Sequence, residues 1–374
     1  MASIAIIGTG FVADYYITTL ANHPELELVG VFDRDPARLS AFCSFHNLKA
    51  YPDLASCLAD RSVDIIVNLT TPESHFEINC AALDAGKHVY CEKPLAMTSE
   101  GVRKVIAKAE TAGLQIAGAP ANALSEAQKL VAGLIAEGRI GMPKVAYAEM
   151  EDGPVFRDNW QEWRSRSGAP WPGIHEFEIG CTLEHAGYGL SWLVALFGPV
   201  KTLQAFSALT FPDKGVGLEG KSLGPDFSVG VLEFASGPVA RITCGLVAPR
   251  DRSLTIVGDE GTIVVRDLWD HFSPVHLLRF DEKGPLLQRL ANWYQRQSGR
   301  HLPGRLFAGR VVKYPRKTSL QLPQFPSQID FSGGISALNA AIESAEPPAF
   351  GGWQAGHLSE LVLALNNGVG RQEF

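Results

Sequence analysis

The stretch that most constrains the fold is an isoleucine-rich apolar run at residues 3–8, which breaks at Gly8-Thr9-Gly10-Phe11-Val12-Ala13 and passes into an amphipathic stretch reaching about His23. An apolar run, a glycine turn and a helical period spell strand, turn, helix. Within this G-x-G-x-x-A pattern Gly8 permits the tight turn, Gly10 lets the backbone approach a pyrophosphate, and small Ala13 lets the helix pack closely on the sheet. The helix N-terminus then points its N–H groups at the phosphates. The next apolar run, Leu26 to Phe32, closes on Asp33, where a carboxylate would accept a ribose hydroxyl.

The pattern continues with a helix opened by Pro36, a buried strand at Val63 to Leu69, a helix at 74–86, a strand at 87–91, a helix at 99–112 and a strand at 114–118. Strands alternating with helices through short connections require right-handed crossovers and a parallel sheet covered on both faces. Residues 1–121 are therefore expected to form a doubly wound Rossmann domain.

After a helix near 124–137 the pattern changes. Segments 144–151, 201–211, 226–236, 239–247, 253–258 and 261–266 read as strands without intervening helices, apart from a helix at about 180–197. The expectation for residues 122–374 is an α+β domain with a large, mostly antiparallel, open-faced sheet. The fold class is thus α/β with an appended α+β unit. Ten Lys or Arg between Arg279 and Lys317, against Asp281 and Glu282, mark a basic arm that also carries Trp293, Tyr294, Phe307 and Tyr314. A charge run is usually a solvated face. An anionic surface, a nucleotide-sugar diphosphate or a neighbouring subunit are its other readings.

The formal net charge of −7 argues against nucleic acid as a partner, since polyanion binding needs a basic surface. The first residues show no basic and apolar leader, and no run of about 18 apolar residues occurs. A cytoplasmic protein is expected. Its six cysteines are scattered, with no CxxC pair and no Cys/His ligand spacing, so they are expected to be reduced, with no metal.

Asp33 favours NAD because its charge repels a 2′-phosphate, whereas adjacent Arg34 could pair with that phosphate or stack on adenine, which keeps NADP possible.

Gly86-Lys87-His88-Val89-Tyr90-Cys91-Glu92-Lys93-Pro94-Leu95, together with the glycine turn and Glu137-Gly138-Arg139-Ile140-Gly141, resembles the Gfo/Idh/MocA family (glucose-fructose oxidoreductase, inositol dehydrogenase, rhizopine catabolism). The resemblance runs over roughly 3–267 and returns in the C-terminal helix. It implies cofactor contacts from Gly8, Gly10, Phe11, Val12, Asp33, Arg34, the Thr70-Thr71-Pro72 turn, His75, Glu92 and Lys93. It also implies an open sheet used for contacts between copies, as a homodimer or homotetramer.

The same resemblance makes Lys93 the residue that touches both the nicotinamide ribose and the reacting hydroxyl. The second family motif, D-x-G-x-H before an apolar run ending in F-G, reads here Glu184-His185-Ala186-Gly187-Tyr188 when aligned back from Phe197-Gly198. Glu184 stands at the aspartate position and Tyr188 at the histidine position, a departure that glucose-fructose oxidoreductase shares in using a tyrosine. Glu184 and Tyr188 are spaced i, i+4, on one helix face. Tyr188 could move a proton if Lys93 lowers its pKa. His185, with an ordinary pKa suited to proton transfer, is its competitor.

Substrate contacts are expected from Trp163 and Arg164, from Asn122, which stands where the family commonly has an arginine, and from His175, with Glu176 and Glu178 nearby. Aromatic faces beside polar groups suit a sugar-like ligand. Three function classes follow: a dehydrogenase or reductase of a sugar, cyclitol or nucleotide sugar; a glycosidase or lyase that oxidises its substrate transiently with retained NAD; and a non-catalytic cofactor-binding regulator.

Overall fold

The computed structural model describes residues 1–215, 217–282, 286–299, 309–315, 319–368 and 370–374. Of the basic arm, Lys283, Arg300, Arg305, Phe307, Arg316 and Lys317 lie outside these residues.

The chain begins β1 (Ala2–Ile7), α1 (Ala13–Leu20), β2 (Leu26–Phe32), α2 (Pro36–His46), α3 (Leu54–Ala59), β3 (Ile65–Asn68), α4 (Pro72–Asp84), β4 (His88–Cys91), α5 (Ser99–Ala112) and β5 (Ile116–Gly118). The five strands form a parallel sheet in the order β2-β1-β3-β4-β5. Ile4, Ile6, Ile65 and Ile66 are wholly buried, because helices cover both faces of such a sheet. The order reverses between β1 and β3, and in open parallel sheets a ligand crevice lies at that switch point, beyond the carboxyl ends of the strands.

There follow α6 (Glu126–Ala136), β6 (Pro143–Glu151), α7 (Gly173–Ile179), α8 (Gly187–Phe197), β7 (Val200–Ala208), β8 (Phe227–Phe234), β9 (Val239–Gly245), β10 (Leu254–Gly258), β11 (Gly261–Val265) and β12 (Val275–Arg279). The chain ends with α9 (Leu286–Ser298), β13 (Arg310–Val311), α10 (Gly333–Ser344), α11 (Gly352–Asn366) and β14 (Arg371–Glu373). Nine strands form the second sheet, β13-β12-β11-β10-β6-β9-β8-β7-β14, antiparallel except where β6 runs parallel to β9. Helices α8 and α11 cover one face of it. The other face exposes Tyr147, Phe206, Val231 and Val239. Helix α10 packs back on β4 and β5 of the first sheet, so the tail of the chain completes the nucleotide-binding half. Among the described residues no helix is long and apolar enough to cross a membrane.

The helix expected over 180–197 differs from a plain α-helix. Residues Thr182–Ala186 form a π-turn before α8 takes up the α period. Glu184, in the π-turn, and Tyr188, in the first turn of α8, nonetheless line the same cleft. A π-turn is a strained insertion that recurs at functional sites, and this one carries Glu184 and His185.

Candidate active site

A cleft of about 960 Å³ runs from the glycine turn to the π-turn. Gly8 stands at φ +99°, and a Cβ there would lie 2.6 Å from the Leu69 carbonyl oxygen, so the turns after β1 and β3 can approach only with glycine. Gly10 is different. Among the described residues no atom lies within 4 Å of a Cβ built on Gly10, which would project into open space. No side chain among the described residues caps the start of α1. An open cradle beside uncapped helix N–H groups fits a pyrophosphate, and the residues present suit a dinucleotide.

Asp33 is buried and accepts from the Thr9 N–H (2.8 Å), the Thr9 hydroxyl (3.0 Å) and the Asp35 N–H (2.9 Å). Arg38, in the first turn of α2, donates Nε and Nη2 to its two oxygens. Burial opposes ionisation of Asp33, but these partners outweigh it and hold the carboxyl below its usual range. Arg34, which could pair with a 2′-phosphate or stack on adenine, is exposed at the rim of the cleft, while the ion pair to Asp33 is made by Arg38. The sequence reading passes over Arg38, although a basic residue in the first turn after the ribose-binding acid is visible there.

Phe11, Val12, Thr70, Thr71, Pro72, His75, Glu92 and Lys93 all line the cleft. His75 is buried, its ring nitrogens 2.6 Å from the Pro94 carbonyl oxygen and 3.0 Å from that of Thr70, so it ties the loops after β3 and β4 together. Glu92 accepts from the Tyr16 hydroxyl at 2.7 Å and from the Lys93 N–H at 3.1 Å.

Lys93 reaches across to the π-turn. Its Nζ donates to the Glu184 carboxylate (2.9 Å) and to the Glu184 carbonyl (2.8 Å), and lies 5.8 Å from the centre of the Tyr188 ring. Burial alone would favour neutral Lys93; Glu184, Tyr188 and Glu92 outweigh it and hold the ammonium well above its ordinary range. Burial likewise works against the Glu184 carboxylate, and Lys93 reverses that, leaving its pKa lowered. Tyr188 goes the other way. Burial raises its phenol, and the downward pull of Lys93 is the smaller effect, so the expected lowering of the Tyr188 pKa does not occur.

His185 holds a second network. Its Nε2 lies 3.1 Å from Asp152 Oδ2, while Arg252 Nε donates to Asp152 Oδ1 at 2.6 Å and the Arg252 guanidinium stacks 3.5 Å from the centre of Trp269. Tyr188 and His185 both pack on Trp269, at 4.6 and 5.6 Å between ring centres. Burial lowers the His185 pKa in spite of Asp152, favouring the neutral ring, and its buried Nδ1 has no hydrogen-bond partner among the described residues. Asp152, Arg252 and Trp269 escape a sequence reading because no local motif joins them. Glu176 also faces this site, and burial together with the nearby Glu184 charge pushes its carboxyl well above the usual range.

Trp163 lines the cleft and packs on Trp171, with ring centres 4.9 Å apart. Arg164 lines the exposed rim, its guanidinium donating to the carbonyls of Gln161 and Trp163. His175 lies 2.8 Å from Glu73 of α4 and bridges the two sides of the cleft. Two residues do not fit their expected places. Asn122 is buried away from the cleft, its amide donating to the Tyr188 and Leu268 carbonyls and accepting from Ser191, so it braces the helix under Tyr188. Glu178 pairs with Lys221 at 2.8 Å and does not line the cleft.

A parallel-sheet dinucleotide cradle opening onto a buried lysine, an acid and a phenol defines an oxidoreductase with an NAD-binding Rossmann fold. Residues 2–118 match the oxidoreductase family model with an NAD-binding Rossmann fold, and residues 129–264 match the C-terminal domain of the same family. The chain belongs to the Gfo/Idh/MocA family. It is 25% identical over 268 residues to trans-1,2-dihydrobenzene-1,2-diol dehydrogenase of Mus musculus, covering 71% of this chain and 74% of that protein. It is 32% identical over 142 residues to 1,5-anhydro-D-fructose reductase of Ensifer adhaerens, covering 38% and 43%. The crystal structure of a Bordetella pertussis dehydrogenase in complex with NADH and UDP-GlcNAcA superposes with a TM-score of 0.70 at 20% identity, covering 100% of this chain and 97% of that one.

Proposed function

We propose that the protein passes hydride between a nicotinamide and the hydroxyl-bearing or carbonyl carbon of a sugar, cyclitol or nucleotide sugar, with NAD preferred over NADP. The observation that carries this reading is the Lys93–Glu184 pair beside Tyr188, in the cleft that the Gly10 turn opens. When bound, the nicotinamide gives or takes hydride. Lys93, held as an ammonium by Glu184, polarises the substrate oxygen and stabilises charge developing on it. Tyr188, kept protonated by burial, gives its proton to that oxygen in reduction and takes it back in oxidation. Trp163, Arg164 and His175 would face the rest of the substrate. The relatives that act on a diol and on an anhydro sugar support this substrate class.

A second reading assigns the proton to His185, favoured by its Asp152–Arg252 support and its unpartnered Nδ1. Labour divides by sheet: residues 1–121 bind the nucleotide, and 122–374 bind substrate and a second copy of the chain, through the exposed row of Tyr147, Phe206, Val231 and Val239. The test is a panel of polyols, sugars and nucleotide sugars with NAD(H) and NADP(H), read by nicotinamide absorbance. Turnover of a carbinol or carbonyl substrate is expected. Nucleotide binding without turnover of any such compound would sink the reading in favour of a regulator.

A further inference from the structure

We propose that helix α9 is a membrane-surface contact. It lies flat on an anionic lipid bilayer, with Leu290, Trp293 and Tyr294 in the headgroup layer and Arg289 and Arg296 on the lipid phosphates. The proposal is independent of the chemistry assigned to the cleft.

Between Glu282 and Asp330 the sequence has no Asp or Glu, and residues 283–317 carry nine Lys or Arg, in a chain whose net charge is −7. The positive charge of an acidic protein is thus gathered on one segment. That segment is rooted at the edge of the nine-stranded sheet, leaving at the end of β12 and returning in β13, which pairs Val311 with His276 and Arg310 with Leu277. The Val312 N–H then donates to the Val275 carbonyl, and the Tyr314 hydroxyl to that of Ser273. At this root the cations are neutralised, Arg279 by Glu260 and Asp281, and Arg310 by Glu282. In α9 they are not. Arg289 and Arg296 are exposed and have no acidic partner among the described residues.

Leu290, Trp293 and Tyr294 fall at i, i+3 and i+4, on one face of α9, and are 53%, 61% and 39% exposed. From Arg289 to Ser298 only Ala291 is buried. It lies roughly 160° around the helix from Trp293, so the indole points away from the protein. Arg289 and Arg296, four positions before and three after Trp293, form the cationic flank of that apolar face. An amphipathic helix with aromatic and aliphatic side chains on one face and arginines beside them is the pattern of a helix lying in the plane of a membrane interface. The aliphatic stems of the arginines sink beside the apolar face while their guanidinium groups reach the phosphates. At 13 residues the helix is too short to span the bilayer.

The charge selects lipid over the other occupants. In a two-fold contact between copies α9 would meet its own arginines, and like charges directly opposed repel. A single-stranded nucleic acid needs stacking faces, and Leu290, the middle of the exposed face, has none.

The experiment is co-sedimentation of the full-length protein with vesicles of phosphatidylcholine alone, or with about 30 mol% phosphatidylserine, which supplies the negative surface potential. Binding is expected to the anionic vesicles, little to the neutral ones, and it should fall as salt rises toward about 1 M, where the screening length is about 3 Å. The emission of Trp293, read as wild type minus Trp293→Phe, should shift to the blue on anionic vesicles. Arg289→Glu combined with Arg296→Glu should weaken binding about ten-fold or more, since each cation near such a surface contributes about five-fold. Leu290→Ser combined with Trp293→Ser should do the same with an unchanged circular dichroism spectrum. Should that variant fail to fold, the charge reversal, made at exposed side chains, carries the test. Absence of binding to anionic vesicles, equal binding to neutral ones, or undiminished binding by the folded charge-reversed protein overturns the proposal. Preference for single-stranded RNA over anionic vesicles at equal phosphate concentration overturns it in favour of nucleic acid. A changed oligomeric state in the apolar double variant, with vesicle binding unaffected, overturns it in favour of a second copy of the chain.

Discussion

Arg38 grips both oxygens of Asp33, with Nε 3.0 Å from Oδ2 and Nη2 2.9 Å from Oδ1. The acid expected to repel a 2′-phosphate is therefore also what ties down a guanidinium able to bind one. Asp33→Ser removes the repelling charge and frees Arg38 at the same time. Titration calorimetry should show NADP(H) affinity rising about ten-fold or more while NAD(H) affinity falls. A wild type that already prefers NADP(H) contradicts the assigned preference.

The two glycines of the turn should fail differently. Gly8→Ala places a Cβ 2.6 Å from the Leu69 carbonyl oxygen at a positive φ, so a lower Tm is expected. Gly10→Val should keep its Tm and lose dinucleotide binding, because its side chain would enter open space that a pyrophosphate needs. Undiminished binding by Gly10→Val would falsify the cofactor site.

Lys93→Met and Tyr188→Phe should each lower kcat about a hundred- to ten-thousand-fold while nucleotide still binds, the range typical of a positioned acid or base. Since both serve one proton transfer, the double variant should be little worse than the poorer single one. Normal turnover by Tyr188→Phe, with loss in His185→Ala, transfers the role to His185.

Asn122→Ala should act on stability. It leaves the buried Leu268 carbonyl without its amide donor, at a cost of about 1–3 kcal/mol, while the Tyr188 carbonyl keeps its bond from the Ser191 hydroxyl. Urea unfolding should shift accordingly, with KM nearly unchanged if helix α8 keeps its place. A large KM effect at full stability returns Asn122 to the substrate site.

Buried His75, His185 and His271 all have lowered pKa values, each chiefly through burial. The unfolded chain protonates them near the ordinary value of about 6.5 and the folded chain only at lower pH, so the unfolded state binds more protons in between. Their contribution to stability is present above about pH 6.5 and is lost as pH falls toward the folded values. His23 opposes this: burial lowers its pKa, but Asp330 and Glu25 outweigh it and leave the net value raised. Glu176, whose carboxyl is pushed up by burial and Glu184, opposes it too, so the histidine contribution is read as a difference. The change in urea midpoint from about pH 5.5 to about pH 7.5 should be less positive in His271→Gln than in the wild type, and an equal change contradicts the shift.

Much of the first half was legible because its signals are local. The helix at 99–112 falls at Ser99–Ala112, with Thr98 as its side-chain cap and Gly113 in the left-handed region at its end. The strand and turn residues that carry Gly8, Gly10, Asp33, Glu92 and Lys93 lie where turn chemistry put them, and all five face the cleft. The π-turn was not legible: an inserted residue leaves the apolar run toward Phe197 intact while changing the winding before it.

By itself the sequence determined the parallel sheet, the dinucleotide turn and the residues available to a proton-transfer site, because strand alternation, glycine turns and helix caps are set by neighbours a few positions apart. Only the tertiary structure decided which charges meet. Asp152 ends up between His185 and Arg252, Lys93 is paired with Glu184 from the π-turn of the second half, and Asp14 is closed over by Ser167. These partners are distant in the chain, and the free energy of a buried charge depends on what the whole fold places within a few ångströms of it, which no local pattern encodes.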